Sequence, residues 1–458
     1  MLIISDNAEV LGMDEELPVN WTFHGKQWKY RGEGNANLVI AVPQERKVVR
    51  FRKSEDPCAR DVEREVRHRI GLEVEFCRRV MRPLMGDCFV QQLSMAYVEP
   101  PERQELATQL RAVRPAHRLH KDICGSHVAV CLDCSMLPSH LTVSLRQPTF
   151  CVELKPKQGW IAVPDRVLPK CTFCLKQHLK LKKGIIKSHS KYCPLDLFSG
   201  NHKRMKGALK ALLACPQNNL RIFQDGTLVY GEDKSGMLEN VLQKWLGNAS
   251  HFTNTQRLVE KFCHLMLAAL TREVCSQRQV PASEAGVPQL PPGHLPAPLV
   301  DAVAALASCE PCDWSAAPLP PGCVLSSVLE VQRLDQGGLQ AALDARPRAA
   351  PQHAYLEGLL SDLGPLQRYL LAASARDCSI MVAFQSLPAT FTGHIPTAHI
   401  IREMPGREYV FNVQVLDLDP KPLSCIDKKL KRDLDILNVC VDVLGSVQLP
   451  CNQLNGKD

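Results

Sequence analysis

The chain has 458 residues, 45% hydrophobic and 22% charged, with a formal net charge of +7. That length allows a sizeable core spread over two lobes, and the balance is that of a globular protein rather than a disordered or fibrous one. The opening residues carry no basic, apolar secretory signal, and no apolar run is long enough to span a bilayer, so reduced thiols or metal ligands explain the 20 cysteines better than disulfides do, and cytoplasm and nucleus are the expected compartments.

In chain order, residues 1–20 read as a flexible lead-in, with Met13 a possible alternative start, and an N-terminal lobe follows over 21–150. "WKYRGEGNANLVIAV" and "KVVRFRK" predict three strands, the first two joined by a Gly-rich corner at Gly32, Gly34 and Asn35. Such a corner can lay backbone amides against phosphates, or it is an ordinary turn. Arg50, on the third strand, is either a cation against phosphate or a surface arginine. "DVEREVRHRIGLEVEF" has the spacing of an amphipathic helix, although Gly71 weakens it. "FVQQLSMAYV" reads as a strand, "PERQELATQLRAV" as a helix, and "SHVAVCLDC" and "TFCVELKPK" as further strands.

"CVELKPK" places Glu153, Lys155 and Lys157 at the two-residue repeat of a strand, on one side of an extended segment. Buried lysines are rare unless paired, so the row suits an ion pair or a highly charged anion. From Cys171 the text turns to helix and coil with a dense basic tract, Lys176 to Lys210. Base-stacking aromatics are scarce there, so a compact polyphosphate fits better than nucleic acid, and a solvated charged face is the plain alternative. Cys171, Cys174, His178 and Cys193 have spacings that could close a structural tetrahedral zinc site; free thiols are the other reading. "CEPC", at Cys309 and Cys312, lacks a histidine pair nearby and is not assigned a metal. Residues 151–275 read as the hinge and anion-binding part of a C-terminal lobe, and 276–322 as a Pro/Ala-rich insertion. Residues 323–424 then return to helix, strand and strand. There Asp377 sits at a helix-to-strand junction and Asp417 at a strand end. The first could take a proton and the second hold Mg²⁺, although capping and turn chemistry explain either alone.

Taken together, Glu-x-Lys-Pro-Lys at 153–157, "HLKL" at 178–181, "SKYCPLDLFSGN" at 190–201, "PQNN" at 216–219, "DCSIM" at 377–381 and "VLDLDPKP" at 415–422 resemble the inositol-pentakisphosphate 2-kinase family. The resemblance implies an α/β (α+β), two-lobed kinase-like fold with an enlarged, helix-rich C-terminal lobe. It implies an ATP- and Mg²⁺-dependent transfer to the 2-hydroxyl of inositol 1,3,4,5,6-pentakisphosphate. Asp377 would then be the catalytic base, assisted by Lys155. Gly32, Gly34, Asn35, Arg50, Glu153, Lys155 and the Mg²⁺ ligand Asp417 would face the nucleotide. Lys157, Lys180, Asn218, Asn219, Lys421 and, on a weaker match, Arg118 would grip substrate phosphates. Structural zinc is known in the family with variable ligands; the four residues above come from spacing.

The chain departs from the family after "DPKP". At 425–458 Lys428, Lys429, Lys431 and Arg432 keep the charge, but an expected tyrosine is missing. A non-catalytic, zinc-stabilised basic protein that binds inositol phosphates or RNA is the competing reading. A protein kinase is disfavoured, since no His-Arg-Asp or Asp-Phe-Gly element appears. A monomer is the default.

Overall fold

The computed structural model describes residues 18–166, 168–232, 237–247, 254–275, 311–347, 350–356, 363–403 and 406–445. Among them are two six-stranded sheets, one in each lobe. The first contains β1 (Val19–Asn20), β2 (Lys29–Glu33), β3 (Asn37–Val42), β4 (Lys47–Ser54), β5 (Ser94–Tyr97) and β6 (Asp122–Leu132), in the order β1-β5-β6-β4-β3-β2. The β2–β3–β4 meander follows the alternating runs read from sequence. Leu38, Ile40, Val49 and Phe51 point into the lobe's core, while Arg50 and Arg52 point to the other face.

Helix α1 (Val62–Phe76) packs on β6 and continues through one wider turn to Met85, and α2 (Pro100–Arg111) covers the sheet's other face through Leu106 and Leu110. Gly71 does not interrupt α1; it is buried within it. The strand expected over Phe89–Val98 is shorter, Ser94–Tyr97.

The chain crosses to the second sheet between Leu132 and Phe150. That sheet contains β7 (Phe150–Leu154), β8 (Leu220–Gln224), β9 (Thr227–Tyr230), β10 (Ser379–Leu387), β11 (Ile400–Glu403) and β12 (Arg407–Leu416), in the order β11-β12-β10-β7-β8-β9. The lobe's longer helices are α3 (Thr172–Lys182), α4 (His202–Ala214), α5 (Leu238–Leu246), α6 (Thr255–Leu270), α7 (Val324–Gln332), α8 (Pro365–Arg376) and α9 (Ser424–Gly445). Its main core joins the sheet to α4–α8 around Trp245, Phe262 and Phe384.

One reading needs correction. The region after Cys171 is not only helix and coil, because β8 and β9 form a hairpin there. Its Asp225-Gly226 turn has both residues at positive φ, 49° and 73°, a two-residue hairpin signature that the sequence does contain. The segment after "DPKP", which departs from the family pattern, forms a 22-residue helix, α9. It lies along α3, sharing an apolar seam of Leu175, Leu179, Ile436, Val439 and Cys440. Of the expected 276–322 insertion, 276–310 lie outside the described residues; 311–322 pack on the lobe, with Cys312 N–H donating to Pro169 O and Ala317 N–H to Ser199 O. No helix of the described residues is long and apolar enough to cross a membrane.

Candidate active site

The register of the second sheet builds the site. Leu154 of β7 pairs with Ile380 of β10 and with Leu220 of β8, and Ser379 of β10 pairs with Leu416 of β12. Because these neighbours are antiparallel, the C-terminal ends of β7 and β12 and the N-terminal ends of β8 and β10 meet at one sheet edge. The residues just past those ends are Lys155 and Lys157, Asp417 and Asp419, Asn218 and Asn219, and Asp377. Residues more than 260 positions apart in sequence thus converge.

The three-residue row on β7 does not persist as expected. Glu153 and Lys155 do share a side: Lys155 Nζ lies 3.6 Å from Glu153 and 3.1 Å from Asp417. At Lys157, however, φ is +64°, a left-handed conformation unusual for a lysine. The chain turns, and the Lys157 ammonium goes to Asp377 instead, at 3.8 Å. Asp417 is likewise left-handed, with φ of +62°. Two functional candidates in strained backbone at one sheet edge are what a site that aims side chains would show.

On one side of this edge is an apolar cleft between the lobes, lined by Val39, Val48, Leu93, Ala129 and Leu418, with Arg50 at its charged end. Arg50 donates to Glu73 (2.7 Å) on α1 and to Asp419 (2.9 Å) past β12. Burial works against the guanidinium charge, but Asp419 and Glu73 outweigh it and hold Arg50 cationic. Glu73, its side chain fully buried, also receives Arg52 and Arg69. A strand cation locked to a helix carboxylate is the arrangement kinase folds use to fix a residue over nucleotide phosphates. Glu73 was not foreseen, yet it lies three residues after Ile70 and seven after Val66, on the buried stripe of α1, where a carboxylate needs a reason.

Asp417 accepts from Ser379 Oγ at 2.7 Å as well as from Lys155. Burial raises its pKa, but Lys155 and Ser379 more than compensate, leaving the carboxyl below its ordinary value. An ionised, cleft-facing carboxylate beside Glu153 offers the hard oxygen donors that Mg²⁺ requires. In the Gly-rich corner, Gly34 N–H closes the turn onto Asn37 O, and Glu33 is anchored to buried Lys53 and Arg114. A Cβ added at Gly32 or Gly34 would meet nothing within 4 Å, so the corner has open backbone for an anion to approach.

On the other side of the edge is a cavity lined by Lys157, Lys180, Asn218, Asn219, Asp377 and Lys421. Lys421 donates to Asp377 at 3.2 Å and Lys180 to Gln217 at 3.4 Å. Burial raises the Asp377 pKa, but Lys421 and Lys157 hold the carboxyl below the ordinary range, so it is ionised and able to accept a proton. Asn219 is buried, and neither its amide oxygen nor its amide nitrogen has a partner among the described residues. Buried amides are normally satisfied, so this one points to a ligand. Arg118 is not brought to this cavity; it stays on the N-terminal lobe beside Tyr30.

The metal quartet differs from the one spacing suggested. Cys171, Cys174 and Cys193 come together, but the fourth member is Cys312 and not His178. The Cys171–Cys193, Cys193–Cys312 and Cys312–Cys174 sulfur pairs are each 3.9 Å apart. Four thiolates at about 2.3 Å from one zinc sit roughly 3.8 Å from each other, so the cage has the right size for a structural tetrahedral site. His178 lies one helical turn beyond Cys174 and packs edge-on against His189, 4.5 Å between ring centroids. Cys312 comes instead from the segment that returns to Pro169, and its sulfur accepts the Cys171 N–H at 3.4 Å. The described cysteines form no disulfide.

The model of the family described as inositol-pentakisphosphate 2-kinase matches residues 30–435. Inositol-pentakisphosphate 2-kinase of Danio rerio is 27% identical over 92% of this chain and 94% of its own length. The protein of that name from Arabidopsis thaliana is 26% identical over 90% and 92%, and that from Drosophila melanogaster 29% identical over 56% of each. With the family model covering the whole second sheet and every strand end at the site, this chain belongs to the inositol-pentakisphosphate 2-kinase family.

Proposed function

We propose that this chain transfers the γ-phosphate of ATP to the 2-hydroxyl of inositol 1,3,4,5,6-pentakisphosphate, giving the hexakisphosphate. The observation that carries the reading is the position of Asp377: an ionised carboxylate between a cation-rich cavity and the carboxylate-bearing end of an interlobe cleft. Asp377 accepts the proton of the attacking hydroxyl. Lys157, Lys180, Lys421 and the unpartnered amide of Asn219, with Asn218, hold ring phosphates and so fix the hydroxyl beside that carboxylate. Arg50 and Lys155 face the nucleotide phosphates, and the open backbone at Gly32, Gly34 and Asn35 covers them. Mg²⁺, held by Asp417, would neutralise charge on the transferred phosphoryl group. Positioning and charge stabilisation are most of what phosphoryl transfer asks of a protein.

The Cys171, Cys174, Cys193 and Cys312 quartet would bind zinc and pin the start of α3, the helix that carries Lys180. Its closed four-sulfur set leaves no position for substrate, so its role is structural. Reduced thiols in such numbers fit a cytoplasmic and nuclear protein.

Phosphate transfer from ATP to inositol pentakisphosphate is measured with the intact chain and with Asp377→Ala. Turnover that disappears in the variant while acceptor binding remains is the expected result. Acceptor binding without turnover in either protein favours a non-catalytic inositol phosphate binder.

A further inference from the structure

Arg50 joins the two lobes at the charged end of the nucleotide cleft, through Glu73 on one side and Asp419 on the other. A second arginine crosses between the lobes beside the Gly-rich corner. Arg31 immediately precedes Gly32 on β2, and its guanidinium donates to Asp133, in the segment that runs from one sheet to the other. The same group packs onto Gly226, at the tip of the β8–β9 hairpin. A Cβ placed on Gly226 would stand 2.6 Å from Arg31 Nη2 and 2.9 Å from its Cζ. We propose that Arg31 is a positioning residue for the nucleotide: by holding β2 against Asp133 and the Gly226 turn, it fixes the Gly-rich corner relative to the second lobe, where the ATP phosphates lie. The inference rests on the kinase reading above for the identity of the ligand.

The local structure of β2 is built for this. It is an edge strand, paired with β3 alone among the described strands. The pairing slips between Tyr30, opposite Ile40, and Gly32, opposite Val39, which makes Arg31 the extra residue of a bulge. In an unbroken strand Arg31 and Glu33 would share a face. The bulge separates them. Glu33 turns to the side of Tyr30, accepting its hydroxyl at 3.2 Å, and is held there by Lys53 and Arg114. Arg31 is aimed at the opposite lobe. The corner is therefore tied by one side chain to its own lobe and by the other across the cleft.

The receiving end is rigid. Asp133 is buried; one carboxylate oxygen takes Arg31, and the other takes the Ser135 N–H at 3.0 Å and its hydroxyl at 2.6 Å. The Asp133 N–H donates to Arg46 O at 2.8 Å, and Arg46 donates to Leu137 O at 3.2 Å and Thr142 Oγ1 at 2.8 Å, so the crossing segment is pinned on both sides of Asp133. The hairpin turn is fixed as well: the Asp225 N–H donates to Thr149 O at 2.9 Å, and its carboxylate accepts the Thr149 N–H at 2.8 Å. Gly226 is constrained twice, by its φ of +73° and by the guanidinium above it. An ordinary ion pair would need only Asp133. A planar group that serves a carboxylate and rests on bare backbone at once is a task for arginine rather than lysine.

The test is calorimetric titration of the full chain with ATP and Mg²⁺, followed by steady-state kinetics. Arg31→Met is expected to weaken ATP binding and raise the ATP KM about tenfold, with kcat within about threefold, because the corner grips ground state and transition state alike. Binding of inositol 1,3,4,5,6-pentakisphosphate, titrated without ATP, should stay within about twofold of wild type. Asp133→Asn should reproduce the ATP effect, and the Arg31→Met/Asp133→Asn double variant should be no worse than either single change, since both remove one contact. Arg31→Lys, which keeps the charge but not the planar contact, should fall between wild type and Arg31→Met. A wild-type ATP KM in Arg31→Met would overturn the proposal. So would a wild-type ATP KM in Asp133→Asn, which would mean that Arg31 meets the nucleotide itself, or an equal loss of ATP and acceptor binding, which would mark a role in stability alone. If the unfolding midpoint shows that Arg31→Met has lost its fold, Arg31→Lys and Asp133→Asn decide. A wild-type chain that binds ATP but transfers no phosphate would remove the kinase reading, and ATP binding by the variants would still decide the role of Arg31; one that binds no ATP would remove both.

Discussion

The two halves of the site handle charge in opposite ways. On the nucleotide side nearly every charged group has a partner inside the protein: Arg50 with Glu73 and Asp419, Lys155 with Asp417 and Glu153, Arg221 with Glu153. On the acceptor side cations outnumber carboxylates, Asp377 serves both Lys157 and Lys421, and Lys176, Lys428 and Arg432 have no ion-pair partner among the described residues. A paired set is rigid and positioned before ligand arrives, which suits a nucleotide whose phosphates must lie in one line with the acceptor. An unmatched set stores repulsion that a polyanion relieves, which suits a ring carrying five phosphates. The difference shows how one sheet edge can serve two anionic ligands without confusing them.

The largest effect should come from removing the group shared by the two halves. Asp377→Asn is expected to lower kcat by about 10²- to 10⁴-fold, the usual contribution of a general base. Acceptor affinity should hold or rise, because Lys157 and Lys421 are then free for phosphate; kinetics and calorimetry on one preparation check both. Next is the paired half. Glu73→Gln would leave Arg50, Arg52 and Arg69 around a neutral, fully buried side chain, at a cost of about 3–5 kcal/mol of stability. Denaturant unfolding measures this, and the ATP KM should rise while acceptor binding changes little. If acceptor binding fell equally, the halves would not be separable.

A smaller global effect is expected at the metal quartet. Cys312→Ser should lower bound zinc from about one per chain and depress the unfolding midpoint. The kcat measured well below that midpoint should change by less than about threefold. The smallest effect concerns pH. Lys421 and Lys157 hold the Asp377 pKa down against burial, and the base works only when ionised, so activity is present above that pKa and falls as pH drops through it. Lys421→Met removes one of these cations. The acid limb of kcat/KM should therefore move to higher pH, and an unchanged or lower limb would contradict the pairing.

How much of this was legible in the sequence depended on range. Strands β2–β4, β6, β7, β10 and β12 followed from short alternating runs, and their ends carried the motifs. The motifs also supplied Asp377 and Asp417, which spacing alone leaves as ordinary turn aspartates. What local pattern could not give was the partner across the fold. Glu73 reads as a helix carboxylate until the two lobes bring Arg50 to it. Cys312 lies 119 residues beyond Cys193, so no spacing rule links them, whereas His178 was attractive because it was near. The turn at Lys157 was invisible because Pro156 favours extension in the residue before it and says nothing of the residue after. Comparison of residues 425–458 with the family pattern says nothing of their secondary structure. The C-terminal helix's own apolar positions, Ile436, Val439 and Cys440, make a helical stripe that only α3 explains.

The most direct measurement is phosphorus NMR of the product formed when the intact chain is mixed with ATP, Mg²⁺ and inositol 1,3,4,5,6-pentakisphosphate. The account predicts that the pentakisphosphate resonances give way to those of the hexakisphosphate, with the new phosphate on the 2-position and one ADP formed for each. ATP left unconsumed while the ring phosphates remain bound, or phosphate released to water rather than to the ring, would contradict it.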